Sequence, residues 1–145
     1  MKLTLDHIGF VVDEIQRAAD LFRKMGFTVM TDAVPNPLQK VTASFMPVTR
    51  GGDVYIEFLE PTDEGSPISN FIRKRGGGLH HLCFEVDDMD AAMAEVTKHG
   101  FRVTVPSEDC RAYDENLKRE CSGTSRAAFF LLDNLLLVEL IEKAP

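Results

Sequence analysis

His7, Glu57, His81 and Glu139 are the residues of this sequence whose types and spacing could do chemistry. Imidazole and carboxylate are ordinary ligands of divalent transition metals. Two of each make an octahedral-leaning set with room for water or substrate, suited to Zn, Co, Ni, Mn or Fe(II). A lone histidine on a strand is usually structural and a lone glutamate is usually surface, so repetition is what singles these four out. Asp6-His7-Ile8-Gly9-Phe10-Val11-Val12-Asp13 returns 74 positions later as His80-His81-Leu82-Cys83-Phe84-Glu85-Val86-Asp87. The match runs without a gap from residue 6 to residue 27, with eight identities that include His7/His81. Val54-Tyr55-Ile56-Glu57-Phe58-Leu59-Glu60 returns 82 positions later as Leu136-Leu137-Val138-Glu139-Leu140-Ile141-Glu142, which pairs Glu57 with Glu139. Each copy supplies one histidine near its start and one glutamate near its end, and a repeat of this kind dictates architecture before any local reading does.

The elements that must position these residues follow from pattern. Residues 3–12 read as a strand. Asp13 offers an N-cap, and Ile15, Ala18, Ala19, Phe22 and Met25 fall at helical spacing before Gly26, a plausible residue to end the helix. Residues 27–31 read as a strand and 32–38, with two prolines, as a loop. Strands at 40–46 and 54–60 complete a β-α-β-β-β module. A linker with a short helix, carrying Ile68, Phe71 and Ile72 on one side, stops at Gly76-Gly77-Gly78. The second module repeats the order: a strand at 79–86, a helix capped by Asp87 or Asp88 with Met89, Ala92, Met93 and Val96 inward, and a strand at 101–105. A hairpin of 126–132 and 135–141 about Asp133-Asn134 closes it. Residues 106–125 read as a long irregular loop in which Arg111, Tyr113 and Lys118 are the side chains most able to touch a ligand. The expected fold class is α+β: one domain over 1–145, with modules 1–62 and 79–145 joined by 63–78.

Side chains alternate across a strand, which sorts each strand into two faces. Ile8, Phe10 and Val12, with Leu82, Phe84 and Val86, form the bulky faces expected under the helices, and so do Ile56, Phe58, Val138 and Leu140. His7, His81, Glu57 and Glu139 all fall on the opposite face. If the two sheets join about a pseudo-twofold, that face lines a shared cup and the four side chains converge near its axis. Without a metal, two carboxylates and two imidazoles would face a mostly apolar cavity unpaired, which is costly. Glu85 shares His81's parity and is a further candidate for a catalytic base or substrate contact. His80 has the opposite parity and reads as structural.

Bulk properties exclude several classes. A net charge of −7 argues against a nucleic-acid or anionic-membrane surface, and Arg73-Lys74-Arg75 reads as a solvated helix end. Three cysteines without CxxC spacing imply no disulfide framework, and no signal region or bilayer-spanning run is evident, so a cytoplasmic setting is expected.

The double β-α-β-β-β order resembles the vicinal oxygen chelate superfamily. So do Asp6-His7-Ile8-Gly9, Gly78-Leu79-His80-His81, Glu57-Phe58-Leu59-Glu60-Pro61 and Val138-Glu139-Leu140. That group includes glyoxalase I, methylmalonyl-CoA epimerases, extradiol dioxygenases and metal-free antibiotic-binding proteins. The run from Glu57 to Pro61, with Ser66-Pro67-Ile68, Phe71-Ile72, Lys74-Arg75-Gly76 and His80 through Asp88, is most similar to the epimerase family. The resemblance implies a glyoxalase fold with a divalent metal on His7, Glu57, His81 and Glu139. It also implies a small substrate that chelates the metal, and often a homodimer. The implied chemistry is proton abstraction α to a metal-bound carbonyl, with Glu139 as ligand and base and Glu57 as its counterpart. The same positions would serve a glyoxalase I-like lactoylglutathione lyase. An iron extradiol dioxygenase would leave Glu57 surplus to its two-His, one-carboxylate triad, and a metal-free binding protein would not need the quartet.

Overall fold

The computed structural model describes residues 1–145. In chain order the elements are β1 (Thr4–Val11), α1 (Ile15–Lys24), β2 (Val34–Asn36), β3 (Val41–Pro47), β4 (Tyr55–Pro61) and α2 (Pro67–Arg75). There follow β5 (Gly78–Glu85), α3 (Met89–Lys98), β6 (Arg102–Asp109), α4 (Arg111–Asn116), β7 (Arg126–Leu132) and β8 (Leu136–Glu142). All eight strands join one sheet in the order β2-β3-β4-β1-β5-β8-β7-β6. The repeat is visible in that order. β1 runs parallel to β4 and β5 parallel to β8, while β1 and β5 meet antiparallel at the centre, so the sheet is pseudo-symmetric about the β1–β5 seam.

Alternation decides what each face buries. On the outer face α1 packs Ile15 against Met46 and Phe58, with Phe10, Val12 and Phe22 around them. Its twin α3 packs Met89, Ala92 and Val96 against Ala128, Val138 and Leu140. A third cluster lies on the inner face, where Val11, Val41, Phe45, Leu59, Cys83, Ala127 and Ile141 meet Ile68 of α2 and Tyr113 of α4. Full burial of a side chain such as Phe58 contributes about 1.5–3 kcal/mol, so both outer faces are well supplied. No helix is long and apolar enough to cross a membrane.

The helix starts are tied to the sheet by a repeated device. Glu60, at the end of β4, accepts from the Ile15 N–H at 2.9 Å, and Glu142, at the end of β8, accepts from the Met89 N–H at 2.5 Å. Asp88 adds a side-chain cap on the Ala91 N–H in the second copy. In the first copy the expected cap at Asp13 is replaced by Glu14, which makes no side-chain cap bond, so Glu60 holds that helix start. The Asp133-Asn134 turn has both residues at positive φ (49° and 58°), as a two-residue hairpin of this hand requires.

Three expected elements differ. Residues 27–31 are not a strand, and the short strand is β2, which lies inside the expected loop. The Thr31 backbone N–H and side-chain oxygen instead bond Phe45 at single points, and Pro35, with no N–H, keeps β2 to three residues at the sheet edge. Residues 106–125 are not one irregular loop: β6 continues to Asp109 and α4 follows. Pro106 is tolerated because β6 is an edge strand, where a missing N–H costs no ladder bond. Met25, expected inward, lies past the last helical turn and is exposed. Replacing Glu60 with Ala should lower stability by about 1 kcal/mol in urea unfolding and leave metal affinity unchanged, because the cap lies on the outer face.

Candidate metal centre

Register places the quartet. Across the seam His7 pairs with Cys83 and Gly9 with His81. In the flanking parallel pairs Gly9 stands level with Glu57 and Cys83 level with Glu139. Since the repeat relates Gly9 to Cys83, each imidazole faces a small residue and each glutamate sits one strand further out. The Nε2 atoms of His7 and His81 are 3.3 Å apart. Glu139 Oε2 lies 3.2 Å from the former and 3.0 Å from the latter, and Glu57 Oε1 lies 3.5 and 3.3 Å from them. All four donor atoms fall within 4.8 Å of one another. Ligands about 2.1 Å from a shared ion stand roughly 3.0–3.4 Å apart in octahedral or tetrahedral arrangements, so the separations suit one cation. The donor set fits a divalent ion, and these four residues could hold it.

The remaining ring nitrogens are also committed. Two β-bulges interrupt the seam, one at Asp6 and one at His80, the residues just before the two histidines. A bulge turns its extra residue out of strict alternation, which overturns the parity reading of His80 as a structural residue facing away. Asp6 Oδ2 accepts from His7 Nδ1 at 2.7 Å, and His80 Nδ1 lies 2.9 Å from His81 Nδ1. Both Nε2 atoms are thereby turned toward the centre, the arrangement that orients metal-binding imidazoles generally. Asp6, only 2% exposed, also accepts from the Tyr113 hydroxyl at 2.9 Å and the Lys143 ammonium at 2.8 Å. The twinned position of Asp6 and His80 was the one signal in the sequence; Lys143 gave none.

Electrostatics within the quartet are mutual. Burial opposes the charge on His81, yet the hydrogen bonds and fields of Glu139 and Glu57 hold its pKa above the ordinary 6.5. For His7 burial likewise opposes charge, and Cys83, Glu57 and Asp6 overcome it. Glu57 and Glu139 lie below the usual carboxylate value, because the two imidazoles outweigh the cost of burial. His80 is pulled down to about 4, first by burial and then by the neighbouring His81.

A cavity of about 340 Å³ opens from the quartet. Val41, Ala43, Leu59, Ile68, Leu137 and Phe129 give it an apolar wall, and His80, Glu57, His81 and Glu139 also line it. Tyr113 lines it as well, from α4 rather than an irregular loop. Arg111 borders a second depression joined to it, and Lys118 is exposed 3.9 Å from Asp32, away from the wall. Glu85 does not join the site. Four residues along a strand is about 13 Å, which carries it past the quartet, and its carboxylate pairs with Lys143 at 2.7 Å.

Fold and site together define a cup of two fused modules with a candidate metal-ligand quartet at its centre, and comparison with known proteins agrees with that fold. The sequence model of the glyoxalase/bleomycin resistance protein/dioxygenase superfamily matches residues 6–121, and the chain belongs to that superfamily. Within it, human mitochondrial methylmalonyl-CoA epimerase is 32% identical over 99 residues, covering 68% of this chain and 54% of that protein. The ethylmalonyl-CoA/methylmalonyl-CoA epimerase of Cereibacter sphaeroides is 34% identical over 100 residues, covering 68% and 72%. The chain spans about half the length of the mammalian relatives it matches. Among solved structures, a variant of Streptomyces coelicolor methylmalonyl-CoA epimerase in complex with 2-nitronate-propionyl-CoA superposes with a TM-score of 0.77. Its identity is 29%, over 99% of this chain and 100% of that one.

Two outcomes follow from the geometry. A Cβ added at Gly9 would stand 2.2 Å from His81 Cε1, so Gly9→Ala should displace that ring and weaken Co(II) binding by about 10–100-fold in a chelator competition. The metal-free protein should be most stable between about pH 4.5 and 6.5. Histidines raised in the folded state contribute fully below 6.5 and lose their contribution as pH climbs through their folded values. The depressed carboxylates contribute above 4.5 and lose it as pH falls. Metal affinity should instead rise with pH, since coordination needs neutral imidazoles; melting curves with and without EDTA, scanned over pH, check both signs.

Proposed function

We propose that the chain is a divalent-metal-dependent isomerase of the methylmalonyl-CoA epimerase type, moving a proton on the carbon α to a carbonyl. The observation that carries this reading is a pair of carboxylates related by the pseudo-twofold, both at the quartet and both lining one mostly apolar cavity. A cation held by His7, Glu57, His81 and Glu139 supplies Lewis-acid stabilisation of the negative charge that develops on the substrate's carbonyl oxygen.

The rest is the work of the chain. Glu139 removes the α-proton as general base, and its conjugate acid keeps that proton within the cavity. Glu57, across the axis from Glu139 and slightly exposed, passes a proton from solvent to the other face of the carbanion, which inverts the centre, and Glu139 gives up its proton to solvent at the end of the turnover. Asp6 and His80 hold the two imidazoles in the tautomer and orientation that leave Nε2 inward. The apolar wall and the Tyr113 ring exclude water from the carbanion. A lactoylglutathione lyase would use the same carboxylates to carry the proton to the neighbouring carbon. A homodimer in a cytoplasmic setting accompanies this reading, supported by two free sheet edges and three free thiols.

With Co(II)-loaded protein and methylmalonyl-CoA in deuterium oxide, proton NMR should show metal-dependent exchange at C2. His81→Ala should abolish it, and Glu139→Gln should reduce it by about 100-fold or more while retaining part of the metal. Stoichiometric metal without exchange of this substrate, but with turnover of a glutathione hemithioacetal, would move the assignment to the lyase.

A further inference from the structure

The cavity that opens from the quartet is walled without a single lysine or arginine. Its polar groups beyond the quartet and His80 are mainly the amides of Asn36, Gln39 and Asn116 and one further carboxylate, Glu108. Glu108 pairs with Ala127 on β7, and Phe129, two residues along, pairs with Glu139. It therefore stands two strands from Glu139 on the same inner face, far enough to meet a different part of the same ligand. The other inward carboxylates are matched: Asp6 by Tyr113 and Lys143, Glu57 and Glu139 by the imidazoles. Glu108 is half-buried, and no N–H, hydroxyl or cation of the chain meets it.

A half-buried carboxylate in an apolar wall is satisfied most readily by a ligand that brings its own N–H donors. Further out, the second depression joins the cavity through Asn36, Leu38, Cys110 and Ala112, and its charged rim is Asp109, Arg111 and Glu115. One cation, Arg111, among the carboxylates of Glu108, Asp109 and Glu115, in a chain of net charge −7, is a poor field for a polyphosphate. It is also a poor field for the two carboxylates of glutathione. At about 340 Å³ the cavity lies at the small end of ligand sites, which run about 300–1,000 Å³.

We infer, resting on the function proposed above, that the site reads the acyl group and a neutral, amide-bearing arm of a thioester and does not read a nucleotide beyond it. Glu108 accepts an N–H from that arm and sets specificity. A thioester of pantetheine, which keeps the amides and lacks the nucleotide and its phosphates, is then as good a ligand as the coenzyme A ester.

Titration calorimetry of the Co(II)-loaded protein with racemic methylmalonyl-pantetheine and racemic methylmalonyl-CoA, which are already at epimerisation equilibrium, tests this. The two dissociation constants should agree within about three-fold. Glu108→Ala should weaken both by about ten-fold, and Glu108→Gln, which still accepts a hydrogen bond, should recover most of the loss. In α-proton exchange of the methylmalonyl esters, Glu108→Ala should raise KM and spare kcat. Tighter binding of the coenzyme A ester by about 100-fold or more would overturn the inference and leave the proposed function standing. Equal binding without exchange of either methylmalonyl ester would uphold the recognition and overturn the reaction. Binding of neither would overturn both, and a fall in kcat at constant KM in Glu108→Ala would overturn the arm contact.

Discussion

Two imidazoles and a carboxylate buried at one point of a protein, with a second carboxylate nearly so, need both matching charge and fixed geometry, and the β1–β5 seam of this fold is arranged around that need. His7 and His81 can approach to 3.3 Å only because the residues across the seam from them, Cys83 and Gly9, are small. At Gly9 the requirement is strict, since the His81 ring occupies the space of a side chain. The parallel neighbours β4 and β8 then bring Glu57 and Glu139 level with those same two positions. The bulges at Asp6 and His80 place a hydrogen-bond partner behind each ring. Four donor atoms thus converge without a loop contributing any of them. A site built on strands holds its geometry better than one built on loops.

The quartet is symmetric, but the cavity beside it is not. The second copy carries extra residues, and they form α4, which lies over the inner face and carries Tyr113 and Asn116 into the wall. Asn116 donates to the Ala43 and Asp32 carbonyls of the first module, and Tyr113 donates to Asp6, so α4 fastens one module to the other. Arg119 fixes the far side, meeting Asp114, Ser125 and the Ala144 carbonyl. A metal centre of this symmetry suits several reactions on chelating carbonyl compounds. Under the recognition proposed above, the asymmetric wall is the part that would distinguish one substrate arm from another.

Much of this was open to inspection in the sequence. The offsets of 74 and 82 identify His7, His81, Glu57 and Glu139 as equivalent pairs, and strand alternation puts all four on one face. Alternation also misleads at particular residues. His80 has the wrong parity for the cavity and lines it nonetheless, because a bulge shifts the phase by one residue. Glu85 has the right parity and does not join, because parity gives a face and not a position along it. Pro106 reads as a strand end, whereas an edge strand loses nothing by it.

By itself the sequence determined the doubled module, the four ligand candidates and the apolar faces under α1 and α3, since these depend on local periodicity and on repetition within the chain. Only the tertiary structure decided the rest. It revealed the partners of Asp6, the small residue required at Gly9, the cap supplied by Glu60 and the cation-free wall that includes Glu108. Each of these joins residues from strands and helices distant in sequence. Such contacts follow from register and sheet order, which no window of neighbouring residues encodes.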